Sequence, residues 1–231
     1  MMANALFVVS ERGYWGEECI EPLLRLDDAG VAVDVATPTG EPPVVDERSV
    51  DPAEVGEEVA ERVLECDGND ERLQNPVSIT AVDADEYDAV VFPGGHGTMW
   101  DVNTDRHARD LLTDAVAGDD GTALVVCHAV GLLGFARTDA GEYLVDGRDV
   151  TGFPNEWEDG IVDDHDLMDD GRKLPYFVED AVIAAGGNWD AELDADTSVT
   201  VDGDLITARG PGSSGAAAET LLAELGIEAT A

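Results

Sequence analysis

The feature that most narrows the fold is a set of short, fully apolar runs spaced by helix-length segments. Residues 5–9, 31–36, 89–92 and 123–126 are rich in Val, Ala and Leu and carry a single charge between them, Asp34. A strand with one wet face alternates apolar and polar residues. A run apolar at nearly every position is buried on both faces, as in a parallel sheet covered by helices on each side. Between the runs, residues 18–29, 106–117 and 129–136 place apolar side chains at helical spacing. This alternation predicts an α/β fold: a flavodoxin-like, doubly wound, mostly parallel sheet flanked by helices. Pro22 is expected in the first turn of the first helix, where its missing N–H matters least, with Gly30 as the stop.

Residues 37–85 break the rhythm. They open with Pro38, Pro42 and Pro43, then turn acidic and weakly helical around 54–65, which reads as a surface excursion or small cap. Further on, 178–185 and 214–225 are expected as helices, and 199–207 as a hairpin around Asp202-Gly203. No internal repeat or low-complexity linker divides the chain, so residues 1–231 are expected to form one domain.

Charge excludes some partners. Asp plus Glu number 52 against 12 Lys plus Arg, a formal net of −40. Such a surface repels nucleic acid and anionic membranes. Molar salt shortens the screening length to about 3 Å, so this bias fits a salt-saturated cytoplasm, a halophile's habitat. Three cysteines, Cys19, Cys66 and Cys127, lack the spacing of a disulfide framework. The apolar run at 5–9 is too short for a signal peptide and lacks a basic leader, and no run approaches a bilayer's thickness. A cytoplasmic location is expected.

Chemistry concentrates where the run at 123–126 meets Cys127-His128-Ala129 with almost no loop between. A nucleophile on such a strand-to-helix turn projects from the carboxyl edge of the sheet, and the unpaired N–H groups of the following helix favour a thiolate. Hydrolase elbows place glycine two residues either side of the nucleophile; here Val125 and Ala129 stand there. A cysteine at this place can equally be a core residue ending a strand. What favours reactivity is His128 together with Phe92-Pro-Gly-Gly-His-Gly97, which ends the preceding run and can meet Cys127 in one crevice. The N–H groups of Gly95 and His128 would then form an oxyanion hole.

Pro93-Gly-Gly-His-Gly97, Val126-Cys-His-Ala129 and Gly13-Tyr-Trp-Gly-Glu-Glu-Cys-Ile-Glu-Pro22, in that setting, resemble the ThiJ/PfpI superfamily and, within it, the heat-shock, glyoxalase III-like branch. Asp46-Glu-Arg-Ser49, Val150-Thr-Gly-Phe153 and Leu174-Pro-Tyr-Phe-Val-Glu-Asp180 extend the likeness over nearly the whole chain. The resemblance implies an acidic partner of the cysteine four residues before a first-helix proline. That residue is Glu18, before Pro22, with Glu17 as a neighbour; a helix-start charge is its plainer role. It also implies an acid beyond Thr151-Gly152-Phe153 that orients His128, with Glu158 preferred over Glu156. His96, Trp15, Trp157 and Glu17 are expected to wall the pocket, while Trp100 and Trp189 belong to the core or a dimer contact.

By resemblance the function is glutathione-independent conversion of small dicarbonyls such as methylglyoxal to hydroxy acids, needing no metal, nucleotide or other cofactor. Repair of glycated amines would begin with a similar attack. A homo-oligomer, a dimer first, is implied. Rival readings are a stress-response chaperone or peroxide sensor using the same cysteine, and an intracellular cysteine peptidase that an oligomer would complete. An amidotransferase would carry a late His–Glu pair, but the last histidine is His165. Asp163-Asp-His-Asp166 could ligate a metal but is what so acidic a chain puts in a solvated loop. Gly210-Pro-Gly-Ser-Ser-Gly215 could cradle an anion, or serve the last helix through a cap from Ser213 or Ser214.

Overall fold

A computed structural model describes residues 3–118, 121–164, 174–190 and 198–227. In chain order its elements are β1 (Asn4–Val8), α1 (Gly16–Asp28), β2 (Ala32–Thr37), α2 (Pro52–Val55), α3 (Glu57–Asn69), α4 (Glu71–Gln74), β3 (Val77–Ser78), β4 (Ala89–Phe92), α5 (Arg106–Ala117), β5 (Thr122–Val126), β6 (Asp149–Val150), α6 (Asn155–Asp164), α7 (Val178–Ala184), β7 (Asn188–Trp189), β8 (Val199–Asp202), β9 (Leu205–Ala208) and α8 (Ser214–Glu224). Seven strands form one sheet in the order β3-β2-β1-β4-β5-β9-β8, parallel except for the β8–β9 hairpin. The doubly wound, mostly parallel α/β expectation is met.

The four apolar runs are β1, β2, β4 and β5, and their period-2 geometry divides them between two cores. Leu6, Val8, Val90, Phe92, Ala123 and Val125 pack on one face with α5 and α7. Ala5, Phe7, Val91, Leu124 and Val126 pack on the other with α1 and α8. From β1 the chain steps to β2 on one side and to β4 on the other, so the switch point lies between β1 and β4. A crevice opens there at the strands' carboxyl ends.

Two local expectations are corrected. Helix α1 begins at Gly16, so Pro22 falls in its second turn and leaves the Glu18 carbonyl without its usual helical donor. The Ser49 hydroxyl, 33 residues away, accepts the buried Gly16 N–H at 3.0 Å and so caps the helix that Trp15 cannot. The segment expected as an α-helix at 129–136 is instead a 3-10 helix, Cys127–Gly134, with every residue buried. Its packing is the reason: a Cβ on Gly131 would stand 2.8 Å from the Tyr176 hydroxyl, and one on Gly134 3.0 Å from the Ala181 Cβ. Residues 37–85, expected as a surface excursion or small cap, are built onto the sheet edge and the first helix. They carry α2, α3 and α4, add β3 to the sheet edge beside β2, and pack α3 against the start of α1, where Val63 closes on Gly16.

Among the described residues no helix is long and apolar enough to cross a membrane. His165 and Asp166 of the acidic run lie outside the described residues.

Candidate active site

Cys127 follows β5 at φ +56°, and among the described residues it is the only non-glycine at positive φ. Such a conformation is strained for a side-chain-bearing residue and holds the sulfur at the sheet edge. Two glycines make room. A Cβ on Gly94 would meet the Val126 carbonyl at 2.6 Å and the Cys127 Cβ at 2.7 Å, and would run into the Glu18 carboxylate. Gly95, at φ +105°, lies so close to the backbone of Gly13 and Trp15 that only glycine fits. The backbone amides of Gly95 and His128, the expected oxyanion donors, lie close enough to the Cys127 sulfur to favour its charged form.

His128 Nδ1 is 3.2 Å from Cys127 Sγ, and its Nε2 is 2.7 Å from Glu158 Oε2. Of the two candidate acids, Glu158 is 2% exposed and stands against His128, while Glu156 is exposed. Phe153 stacks on the His128 ring at 4.3 Å between centroids. Sequence reasoning missed a second arm. His96, placed only in the pocket wall, holds Nε2 2.9 Å from Glu158 Oε1, and its Nδ1 is 3.0 Å from Arg48 Nη2. Arg48 in turn binds Asp46 through Nε at 3.0 Å and Nη2 at 2.5 Å. The Asp46-Glu-Arg-Ser49 motif was visible in sequence; the signal that went unread is an arginine placed among acids in a chain so poor in cations.

Glu18, fully buried, lies beside the sulfur. Burial pushes its carboxyl up to about 8, against the pull of the Cys127 thiol and the Gly94 N–H. Neither of its oxygens has a hydrogen-bond partner of good geometry, so those contacts are electrostatic more than directional. Burial, then the Glu18 charge, push the Cys127 thiol well up, with the Gly95 and His128 amides opposing. The expected thiolate therefore does not follow from the helix end alone; in so dry a site Glu18 and Cys127 hold a proton as a pair. Glu158 goes the other way: burial raises it, but hydrogen bonds from His128 and His96 outweigh burial and bring it to about 2. Burial, and then the neighbouring His128, lower His96 to about 4.

The cleft over Cys127 has a volume of about 110 Å³ and is walled by Trp15, Phe153, Ile161 and Pro211 beside the polar groups. Two expected wall residues are not in it. Glu17 has Arg62 and Glu21 as its charged neighbours. Trp157 stands edge-on behind Phe153, 5.6 Å between centroids. Ser213 sits at the N-cap of α8 without a side-chain cap bond to it.

His96, His128 and Glu158 bring their ligand atoms within 4.8 Å of one another, an arrangement a metal can take. Hydrogen bonding uses it otherwise. A guanidinium only donates, so His96 Nδ1 is a bare acceptor and its proton sits on Nε2, aimed at Glu158. A metal on Nε2 would move that proton to Nδ1, against the arginine.

These features define a class: a doubly wound α/β protein with a buried cysteine on a strained turn at the carboxyl edge of its sheet. The chain belongs to the DJ-1/PfpI family, whose sequence profile matches residues 3–224. It is similar to the probable glutathione-independent glyoxalase hsp3103 of Schizosaccharomyces pombe, 30% identical over 155 residues, or 65% of this chain and 58% of that protein. Glutathione-independent glyoxalase HSP31 of Saccharomyces cerevisiae is 30% identical over 140 residues, 57% of this chain and 55% of that one. The chain thus spans little more than half the length of these two curated relatives. Among solved structures, the 24 kDa rapid encystment protein of Francisella tularensis superposes with a TM-score of 0.83 at 27% identity, covering 97% of this chain and 99% of that one. Glyoxalase III of Candida albicans superposes at 0.82 and 22% identity, covering 96% and 97%, which shows the shared fold.

Proposed function

We propose that the chain is a glutathione-independent glyoxalase acting on small 2-oxoaldehydes through Cys127. The observation that carries this reading is the Cys127 sulfur 3.2 Å from His128 Nδ1, beside the buried Glu18 carboxyl, under two backbone N–H groups. The names of the curated relatives support the same activity.

In the proposed reaction the thiol proton passes to His128 Nδ1 as sulfur bonds to the aldehyde carbon, which leaves the Glu18 carboxylate free for the next step. The N–H groups of Gly95 and His128 take the resulting oxyanion, giving a hemithioacetal. The Glu18 carboxylate then removes the hydrogen on that carbon as a proton, and the electron pair forms an enediolate. Glu18 returns the proton to the neighbouring carbon, leaving a thioester. Water cleaves the C–S bond, releasing the 2-hydroxy acid and the thiol, with no net oxidation. A carboxyl raised to about 8 suits proton transfer in both directions near neutral pH.

The cleft, about 110 Å³, suits a three-carbon substrate better than a peptide or a glycated protein side chain. A thiol only 3% exposed also offers peroxide little access. These observations favour the glyoxalase over the peptidase, the amine-repair enzyme and the peroxide sensor. The test is methylglyoxal-to-lactate turnover in molar potassium chloride. Cys127→Ala is expected to lose several orders of magnitude with an unchanged circular dichroism spectrum. Equal turnover in variant and wild type would overturn the reading.

A further inference from the structure

Glu158 serves two histidines, and the second takes no part in the reaction above. The His96 and His128 rings are 3% and 2% exposed and lie 3.9 Å apart between centroids. Each presents Nε2 to a different oxygen of the one carboxylate, at 2.9 and 2.7 Å. A carboxylate with one donor can rotate or take up a proton; with both oxygens engaged it is fixed and stays ionised.

Arg48 decides which protons are where. Its Nη2 can only donate, so His96 Nδ1 must accept and Nε2 must carry the hydrogen. Asp46 holds Arg48 in place through two side-chain bonds, and also accepts the Arg48 backbone N–H at 3.0 Å. The groups facing His96 are Arg48, Asp46, His128 and Glu158. Cys127 and Glu18 lie beyond His128, and Glu54 stands at the cleft's rim. Arg48 is the only cation among them, and it opposes a second proton on His96.

We propose that Arg48 and His96 are positioning residues: the chain Asp46–Arg48–His96 fixes the second oxygen of Glu158, pins His128 Nε2–H on the first, and so leaves His128 Nδ1 free to accept the Cys127 proton. The inference rests on the proposed reaction for its consequence in turnover. Its physical content, one tautomer and one thiol's reactivity, is measurable without any substrate.

The experiment has two arms in molar potassium chloride. In the first, nitrogen-15 spectra of wild-type protein with labelled histidine report the tautomers at neutral pH. His96 is expected to show a protonated Nε2 and a bare Nδ1; the reverse overturns the proposal. In the second, alkylation of Cys127 by iodoacetamide is followed by peptide mass from about pH 4.5 to 9, which spans the imidazole range. Arg48→Met removes the donor to His96 Nδ1, so the ring is free to carry its proton on either nitrogen. With the proton on Nδ1 the ring no longer donates to Glu158 Oε1, the carboxylate can turn away from His128, and alkylation across the profile falls about tenfold or more. Arg48→Lys restores a donor and is expected to recover part of the wild-type profile. His96→Gln, which keeps an N–H toward Glu158, is expected to retain more reactivity than His96→Phe. An Arg48→Met profile matching wild type, with folding intact by circular dichroism, overturns the proposal. If these outcomes appear while methylglyoxal is not turned over, the glyoxalase reading fails and the positioning role stands.

Discussion

Glu18 is a fully buried acid whose two carboxyl oxygens have no well-aligned hydrogen-bond partner. Its carboxyl is raised from 4.5 to about 8, so the folded state holds a proton that the unfolded state releases. The stability this protects is complete below about pH 4.5 and is lost as pH rises through about 8. Glu18→Gln keeps the neutral form permanently. It is expected to melt several degrees above wild type at pH 8 and no higher at pH 4, each kcal/mol being worth about 2–4 °C at this chain length. Turnover should fall in the same variant, since glutamine cannot carry the proton. Equal melting temperatures at pH 8 would show that the carboxyl is not desolvated. Glu158 has the opposite sign: its folded pKa of about 2 adds stability that is present above about pH 4.5 and lost on acidification toward 2. Glu158→Gln should therefore be destabilised at pH 7 by about 1–3 kcal/mol, measured by urea unfolding, with the deficit shrinking in acid.

Between elements, the site depends on backbones brought closer than side chains would permit. The turn after β4 lies against the end of β5 and the start of α1 so tightly that a methyl on Gly94 would strike both. Gly94→Ala is expected to cost about 1–3 kcal/mol and to slow Cys127 alkylation at least tenfold, because the Cys127 turn must shift to admit it. A fully reactive, equally stable variant would mean that the turn is softer than its contacts imply. The same dependence explains why residues 37–85 matter: Ser49 caps α1, Val63 packs on it, and Arg48 reaches His96.

Across the whole molecule the dominant quantity is the net charge of −40. Ion pairs such as Arg72 with Asp27 and Asp70 occupy the few cations, leaving most carboxylates to repel one another through solvent. Screening at molar salt removes most of that repulsion. The expected outcome is a melting temperature that climbs steeply between about 0.1 and 2 M potassium chloride. A salt-independent midpoint would refute the link between charge and a saline cytoplasm.

The amino-acid sequence by itself determined the sheet, since runs apolar on both faces can be buried only between two layers, and β1, β2, β4 and β5 are those runs. It also singled out Cys127 and His128, because the strand ending at Cys127 is a local pattern, whereas Glu18 came only from the resemblance of the first-helix motif. Only the tertiary structure decided that the segment after Cys127 is a 3-10 helix, since the space left by Tyr176 and Ala181 sets its width. Only it joined Arg48, His96 and Glu158, which stand 48 and 62 residues apart along the chain. Local pattern reports burial and turns; which polar groups complete one another's hydrogen bonds is fixed when distant segments meet in a space too small for water.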